Sequence, residues 1–323
     1  MTVYPALRES QIMNKTEVFR HIRESKVCVT VHEHIGDCTL YFENGKTSTY
    51  VQTKETLAKK LGLLAERLSV ESVYAITYPM PPYKQFQKKD VKCASMHDIN
   101  KCNDILSSET VLNGILPSIL LTISEGCEKL SDEVANYASN AFCIKIHPLA
   151  DMVTAKDVVS SDLFNLSLTY KIPITMHCSR PGQICDIHDI IKHIIPIASS
   201  EGVFINIAHA GFLDDAIFEL AGLNNIFIDI SPWSVLIDQL YGCYNKTVSA
   251  KMLEILFEMF PEQIMFGQDT PIDVQTWGDG STHGNGLLED VKDIVETVSS
   301  GDKELFNKLF RNNAVRFLSY GSY

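Results

Sequence analysis

The chain has 323 residues, 45% of them hydrophobic, and carries a formal net charge of −12. That length suits one α/β barrel. The acidic balance argues against nucleic acid or an anionic membrane surface as the main partner. Nine cysteines without CxxC pairs suit reduced thiols and not a disulfide framework. A polar, mixed-charge beginning reads as no signal peptide, and no apolar run is long enough to span a bilayer. The location expected is therefore cytoplasmic.

Residues 16–25 read as a short helix ahead of the first strand, which spans 27–31 and runs into VHEHIG. On a strand, residues two apart face the same side, so His32 and His34 project together from its carboxyl end. Two imidazoles so placed can share one metal ion, although an isolated HxH is more often surface decoration. A helix follows at 53–68, with Leu57, Leu61, Leu64 and Leu68 on one face. Strand 2 is 72–77, stopped by Pro79, Pro81 and Pro82. The Lys-rich stretch 83–105 reads as a long insertion that covers a site or forms a contact surface. Strand 3 is 112–121, interrupted by Pro117.

Helical 131–139 leads to strand 4 at 142–146, then His147-Pro148. A helix is expected over 157–170, and strand 5 over 172–176, ending at His177. A helix over 187–201 is kinked by Pro196. Strand 6 is 203–208, ending at His209. Helical 214–222 precedes strand 7 at 226–230, which leads to Ser231-Pro232-Trp233. Helical 248–260 precedes strand 8 at 263–266, then Gly267-Gln268-Asp269. Helices at 286–299 and 303–318 close the chain. Short apolar runs alternating with helices predict a single (β/α)8 barrel over about 27–318, within one domain spanning 1–323. It carries a short N-terminal extension and a long insertion after strand 2.

Polar residues recur at the carboxyl ends of the strands, where this fold places its chemistry: His32, His34, Lys145, His147, His177, His209 and Asp269. Unpaired buried imidazoles and carboxylates are costly, and a divalent cation would satisfy them together.

The order HxH, Lys, His, His, Asp resembles the amidohydrolase superfamily. The strings VHEHIG, IKIHP, ITMHCS, NIAHAG and MFGQDTP, with the closing NNAVRFL, resemble its amidohydrolase-related metal-dependent hydrolase branch. That resemblance implies a TIM barrel holding a divalent transition metal, zinc first, as one or two ions. His32, His34, His177 and Asp269 would be the ligands, with Lys145 and His209 as further candidates. Asp269 would also move the proton of the attacking water, and His209 would bind a second metal or polarise substrate. In binuclear members a lysine at the place of Lys145 is carboxylated and bridges two metals; the competing reading is a buried ammonium paired with Asp269 or another acid. Where the family has an acid two residues before the first histidine, this chain has Thr30.

Other residues have two readings. Arg180 suits a substrate carboxylate or a solvated loop, and Trp233 and Trp277 suit a pocket wall or packing. His147 suits a supporting hydrogen bond or the core. Glu33 and Cys178 read as structural. His283, in GDGSTHGNG, reads as part of a mobile loop. The function expected is hydrolysis of an amide, lactone or ester carbonyl in a small molecule by metal-activated water. The alternative is non-oxidative decarboxylation of an aromatic or unsaturated acid, and a non-catalytic small-molecule-binding barrel ranks third. The partner expected is a small-molecule substrate, without nucleic acid or membrane, with a homodimer left open.

Overall fold

The computed structural model describes residues 15–41, 47–80, 114–123, 137, 141–271, 275–276, 282–283, 287–299 and 303–320. The expected insertion at 83–105, the start of strand 3, most of helix 131–139, Trp277 and both flanks of the Gly-rich loop lie outside those residues; the middle of that loop, Thr282–His283, pairs antiparallel with Gln275–Thr276. Among those described, no helix is long and apolar enough to cross a membrane.

Helix α1 (Lys15–Glu24) leads into β1 (Val27–Tyr41), which runs well past the predicted end at residue 31 and pairs antiparallel with β2 (Thr47–Gln52), an element the sequence did not announce. Helix α2 (Lys54–Leu68) is capped by Thr53 in a reciprocal capping box with Thr56, worth about 1 kcal/mol, and buries Leu57, Leu61, Leu64 and Leu68. Next comes β3 (Ser72–Met80), parallel to β1. Strand 3 exists as two pieces, β4 (Ile115–Pro117) on β3 and β5 (Ile119–Leu121) on β6 (Ile144–Ile146). Pro117 has no N–H to donate, and the chain changes partner there: Ser118 N–H goes to Thr77 and Phe142 N–H to the Pro117 carbonyl. β7 (Ile174–Met176), β8 (Ile205–Ile207), β9 (Ile226–Asp229) and β10 (Ile264–Met265) continue the parallel ladder.

The two ends of the ladder meet. Val31 N–H donates to the Phe266 carbonyl (2.9 Å), His34 N–H to the Thr270 carbonyl (2.9 Å), and Glu33 bridges Thr270 in parallel register. These bonds join strand 8 to strand 1 as the expected barrel requires.

The strands alternate between two hydrophobic environments. Val27, Val29, Val31, Ile76, Tyr78, Phe227 and Met265 fill the interior, while Cys28, Ile144, Ile146, Ile205, Ile207 and Ile264 pack outwards on the helices. α1 contributes Val18 and Ile22 to the interior cluster, and the last helix contributes Ala314, Phe317 and Leu318, so the two cap the amino-terminal end of the barrel.

Three predicted helices are interrupted, the closing one, 303–318, by a π-turn at Lys308–Asn312. The stretch expected as 157–170 forms Ala155–Ser160 and Leu163–Tyr170. Between them Ser161 is extended, its hydroxyl donating to the Val158 carbonyl and accepting from Leu163 N–H, a local bonding pattern that competes with helix. The stretch at 187–201 stays helical but passes through a π-turn at Ile190–Ile194, just before Pro196 withholds its donor.

Candidate active site

Two backbone irregularities aim the site. Val27, Val29 and Val31 face the barrel interior, so strict alternation would turn His32 outwards. The register of β1 on β3 shifts between Thr30 and Glu33, where β1 spends one extra residue. This bulge restores the inward direction, so that His32 and His34 follow Val31 to the same side. Their rings lie 5.3 Å apart. After β8, residues His209 to Leu213 all have positive φ, one turn of left-handed backbone. Such a turn costs about 1–2 kcal/mol per residue and marks functional sites more often than ordinary loops. It brings His209 back over the barrel mouth, where its ring centroid lies 5.1 Å from that of His32.

His32 is fixed from one side and open on the other. Its Nδ1 lies 2.8 Å from Ser231 Oγ and 3.3 Å from Asp229 Oδ2. Ser231 in turn donates to Asp229, which also accepts from the Asn206 amide (2.7 Å) and the Ser231 N–H (3.1 Å). A carboxylate on that flank requires the proton on Nδ1, so Nε2 carries the lone pair. Nε2 faces Lys145 Nζ at 2.8 Å and Asp269 Oδ1 at 3.5 Å. Gly267 makes this possible: a Cβ there would lie 2.9 Å from His32 Cβ.

His34 Nε2 lies 3.1 Å from the same Asp269 oxygen, and His34 Nδ1 is buried with no hydrogen-bond partner among the described residues. The loop carrying Asp269 is held by Glu33, whose carboxylate accepts from Thr30 Oγ1 and from Thr270 Oγ1 and N–H. Thr30 therefore serves as a donor to Glu33. Gln52 of β2 adds bonds to the His34 carbonyl (2.6 Å) and to Thr270 Oγ1 (2.8 Å).

His209 Nδ1 sits 2.7 Å from the Ser231 carbonyl and must donate to it, so its Nε2 accepts from His177 Nδ1 at 2.9 Å. His177 stacks on His147, with centroids 3.7 Å apart and planes inclined by 14°. His147 accepts the Ala150 N–H at its Nδ1 and so caps the short helix Pro148–Asp151.

Electrostatics keep these rings neutral. Burial, reinforced by the Lys145 charge, lowers His32 to about 4. Burial also holds His147 and His177 well below the usual imidazole range, which suits two stacked rings, and lowers His209. The Lys145 amine is lowered to about 8 by burial, against the attraction of Asp269 and Asp229. Burial works to raise Asp269 and Asp229, yet the neighbouring His32 and accepted hydrogen bonds hold both below the usual carboxylate range.

The structure thus brings together His32, His34, Asp269, Lys145, His209 and His177. Among the described residues, the donor atoms of His32, His34 and Asp269 lie within 4.8 Å of one another, as do those of His32, His209 and Asp229. His177 belongs to neither group; it joins the cluster through His209. Neutral imidazole lone pairs beside an ionised, buried carboxylate are a donor set that fits a divalent transition metal.

Arg180 lies at the rim, exposed, with its guanidinium 6.0 Å from the Phe212 ring, and Phe212 borders His177 and His209. Trp233 opens the helix Trp233–Tyr241; its ring is fully buried and its indole N–H donates to Ser249 Oγ at 2.7 Å, a packing contact with helix Lys246–Met259. Cys178 is a buried thiol pushed well up by burial, consistent with a structural reading. Asp229, Ser231 and Asn206 escaped sequence reasoning. A carboxylate at the end of the apolar run IFID was the available signal.

No protein-family model matches the sequence, and no curated protein matches it at a significant level. Solved structures do. A probable 2-pyrone-4,6-dicarboxylic acid hydrolase from Acinetobacter baumannii, with citric acid bound, superposes with a TM-score of 0.56 at 11% identity, over 91% of this chain and 99% of that one. An amidohydrolase from Mycobacterium avium subsp. paratuberculosis gives 0.53 at 13% identity, over 90% and 98%. A phosphotriesterase homology protein from Escherichia coli, with phosphate in its active site, gives 0.51 at 12%, over 91% and 99%. At these identities the likeness is one of fold: the chain has the barrel fold of amidohydrolase-type proteins.

Proposed function

We propose that this barrel is a metal-dependent hydrolase acting on an amide, lactone or ester carbonyl of a small molecule. The observation that carries the reading is the convergence of His32 Nε2, His34 Nε2 and the Asp269 carboxylate at the carboxyl end of the barrel. In this reading His32, His34 and Asp269 hold the metal, with His177 as the further ligand that the family resemblance implies. A divalent cation there, zinc first among the choices, supplies a Lewis acid that polarises a carbonyl and acidifies water.

The chain's own residues do the rest. The ionised Asp269 accepts the proton of the attacking water and passes it to the departing heteroatom. The flank of Ser231 and Asp229 keeps the His32 proton on Nδ1 throughout. His209, whose Nδ1–H is committed to the Ser231 carbonyl, accepts the His177 Nδ1–H at its Nε2 and so orients the His177 ring, leaving the His177 Nε2 lone pair available to a metal. Arg180 holds an anionic substituent at the rim, where a planar fork suits a carboxylate.

Arg180 also favours a second reading, loss of carbon dioxide from an aromatic or unsaturated acid, in which a carboxylate clamp is indispensable. A screen of lactones, esters, amides and aromatic acids, read by product mass, decides. A gained water supports hydrolysis; released carbon dioxide supports the second reading. Asp269→Asn is expected to lower turnover by about 10²–10⁴-fold, and a variant that keeps its metal and its full rate overturns the proton role.

A further inference from the structure

A cavity of about 340 Å³ opens at the opposite end of the barrel, lined by Arg23, Glu262, Arg311, Asn312 and Arg316. Arg23 lies at the end of α1, two residues before the turn into β1, and Glu262 lies two residues before β10. The pocket therefore sits at the amino-terminal ends of strands 1 and 8, away from the histidines. Three guanidinium groups converge here in a chain whose formal net charge is −12.

Among the described residues, Arg23 and Arg311 have neutral partners. Arg23 donates to Ser319 Oγ at 2.7 Å. Arg311 donates to the Ser25 carbonyl at 3.3 Å and to Asn312 Oδ1 at 3.1 Å. Arg316 donates to the Glu262 carbonyl and lies 4.7 Å from the Phe227 ring centroid. The one carboxylate in the lining, that of Glu262, is paired with Lys308 at 2.6 Å. Arg311 and Asn312 also fall in or beside a π-turn, Lys308–Asn312, that interrupts the closing helix. The turn frees the Leu309 carbonyl to accept the Phe266 N–H at 3.1 Å, which locks this helix to strand 8. Arg311 and Arg316 are thereby held on a rigid element facing Arg23.

From this geometry we infer that the pocket is a binding site for a compact phosphate-bearing anion, free phosphate or a small phosphate monoester, distinct from the candidate active site. Several guanidinium forks around one concavity match tetrahedral oxyanions better than a spherical anion. The volume accepts a small organic body beside the phosphoryl group. A bound anion would tie α1 to the closing helix and so fasten the cap on the barrel.

The test is calorimetric titration of the full chain, as purified, with inorganic phosphate and separately with glycerol 3-phosphate, against sodium chloride at matched ionic strength. Wild type is expected to bind at least one probe with a Kd below about 1 mM. Arg311→Gln and Arg23→Gln, each shown folded by circular dichroism, are expected to weaken that binding about tenfold, the usual worth of one charged hydrogen bond. Arg311→Lys is expected to fall between them and wild type, because it keeps the charge and loses the fork. Asp269→Asn is expected to bind as wild type does. Tighter binding of glycerol 3-phosphate assigns the monoester, and tighter binding of inorganic phosphate assigns the free ion. Heat no larger than with chloride, heat unchanged in both glutamine variants, or heat lost in Asp269→Asn overturns the inference. The last outcome would assign phosphate to the candidate active site and leave the hydrolase reading standing.

Discussion

The amine of Lys145 lies 2.8 Å from His32 Nε2, on the lone pair that the family resemblance gives to a metal. An ammonium there repels a second cation and favours a site with a single ion, the unmodified-lysine reading of the sequence. Burial lowers the amine to about 8 without removing its proton at neutral pH. Lys145→Ala is therefore expected to keep its metal, and the intact mass of wild type to match the unmodified chain. Two metals in wild type with a carboxylated Lys145, and metal loss in Lys145→Ala, would reverse this.

Asp229 and Ser231 are expected to act through His32. Asp229→Asn leaves the shape and removes the acceptor that fixes the proton on Nδ1. Partners of this kind typically contribute about 10–100-fold to metal affinity. Titration of metal-stripped protein should show that loss in Asp229→Asn, with a far-ultraviolet spectrum like that of wild type. Unchanged affinity would make the network purely structural.

Gly267 leaves room for His32. In Gly267→Ala the new methyl would meet His32 Cβ at 2.9 Å and Ser231 Cβ at 3.2 Å, neither at the end of a flexible side chain. Overpacking of this sort costs about 1–3 kcal/mol. Denaturant midpoint and metal loading should both fall. A variant as stable and as fully loaded as wild type would show that the wall can yield.

Asp151 gives a pH signature away from the cluster. Its carboxyl accepts from Thr122 Oγ1 (2.6 Å) and Ile123 N–H (3.0 Å), yet burial prevails and raises it to about 6. In the unfolded chain an aspartate titrates near its ordinary value of about 3.9. Between these values the folded chain binds the extra proton. The contribution is thus complete below the unfolded value and declines as pH rises through about 6, by an amount of order 2 kcal/mol. Asp151→Asn should flatten the fall in urea midpoint between about pH 4 and 7. An identical slope in the variant would assign it to other groups.

Much of the barrel was legible in the sequence because parallel strands buried on both faces leave continuous apolar runs, such as IFID and the run before His32. Lys145 and His147 were also legible, since β6 keeps strict alternation and turns both inwards. His32 and His209 reach the site for reasons that alternation does not contain. One depends on a bulge in β1, the other on left-handed backbone after β8, and neither has a sequence mark that is specific alone. Asp229 was hidden because a single acid within an apolar run does not say which imidazole it faces. The split at Ser161 was hidden because a serine hydroxyl bonds equally well within a helix or across its end.

His32, His34 and Asp269 are proposed to hold a catalytic metal. Elemental analysis of wild type and of His32→Ala, purified without chelator, tests it most directly. A stoichiometric transition metal is expected in wild type, with its loss in His32→Ala and the fold intact. Wild-type protein with no metal above background, and none gained on titration with zinc, manganese or iron, would contradict it.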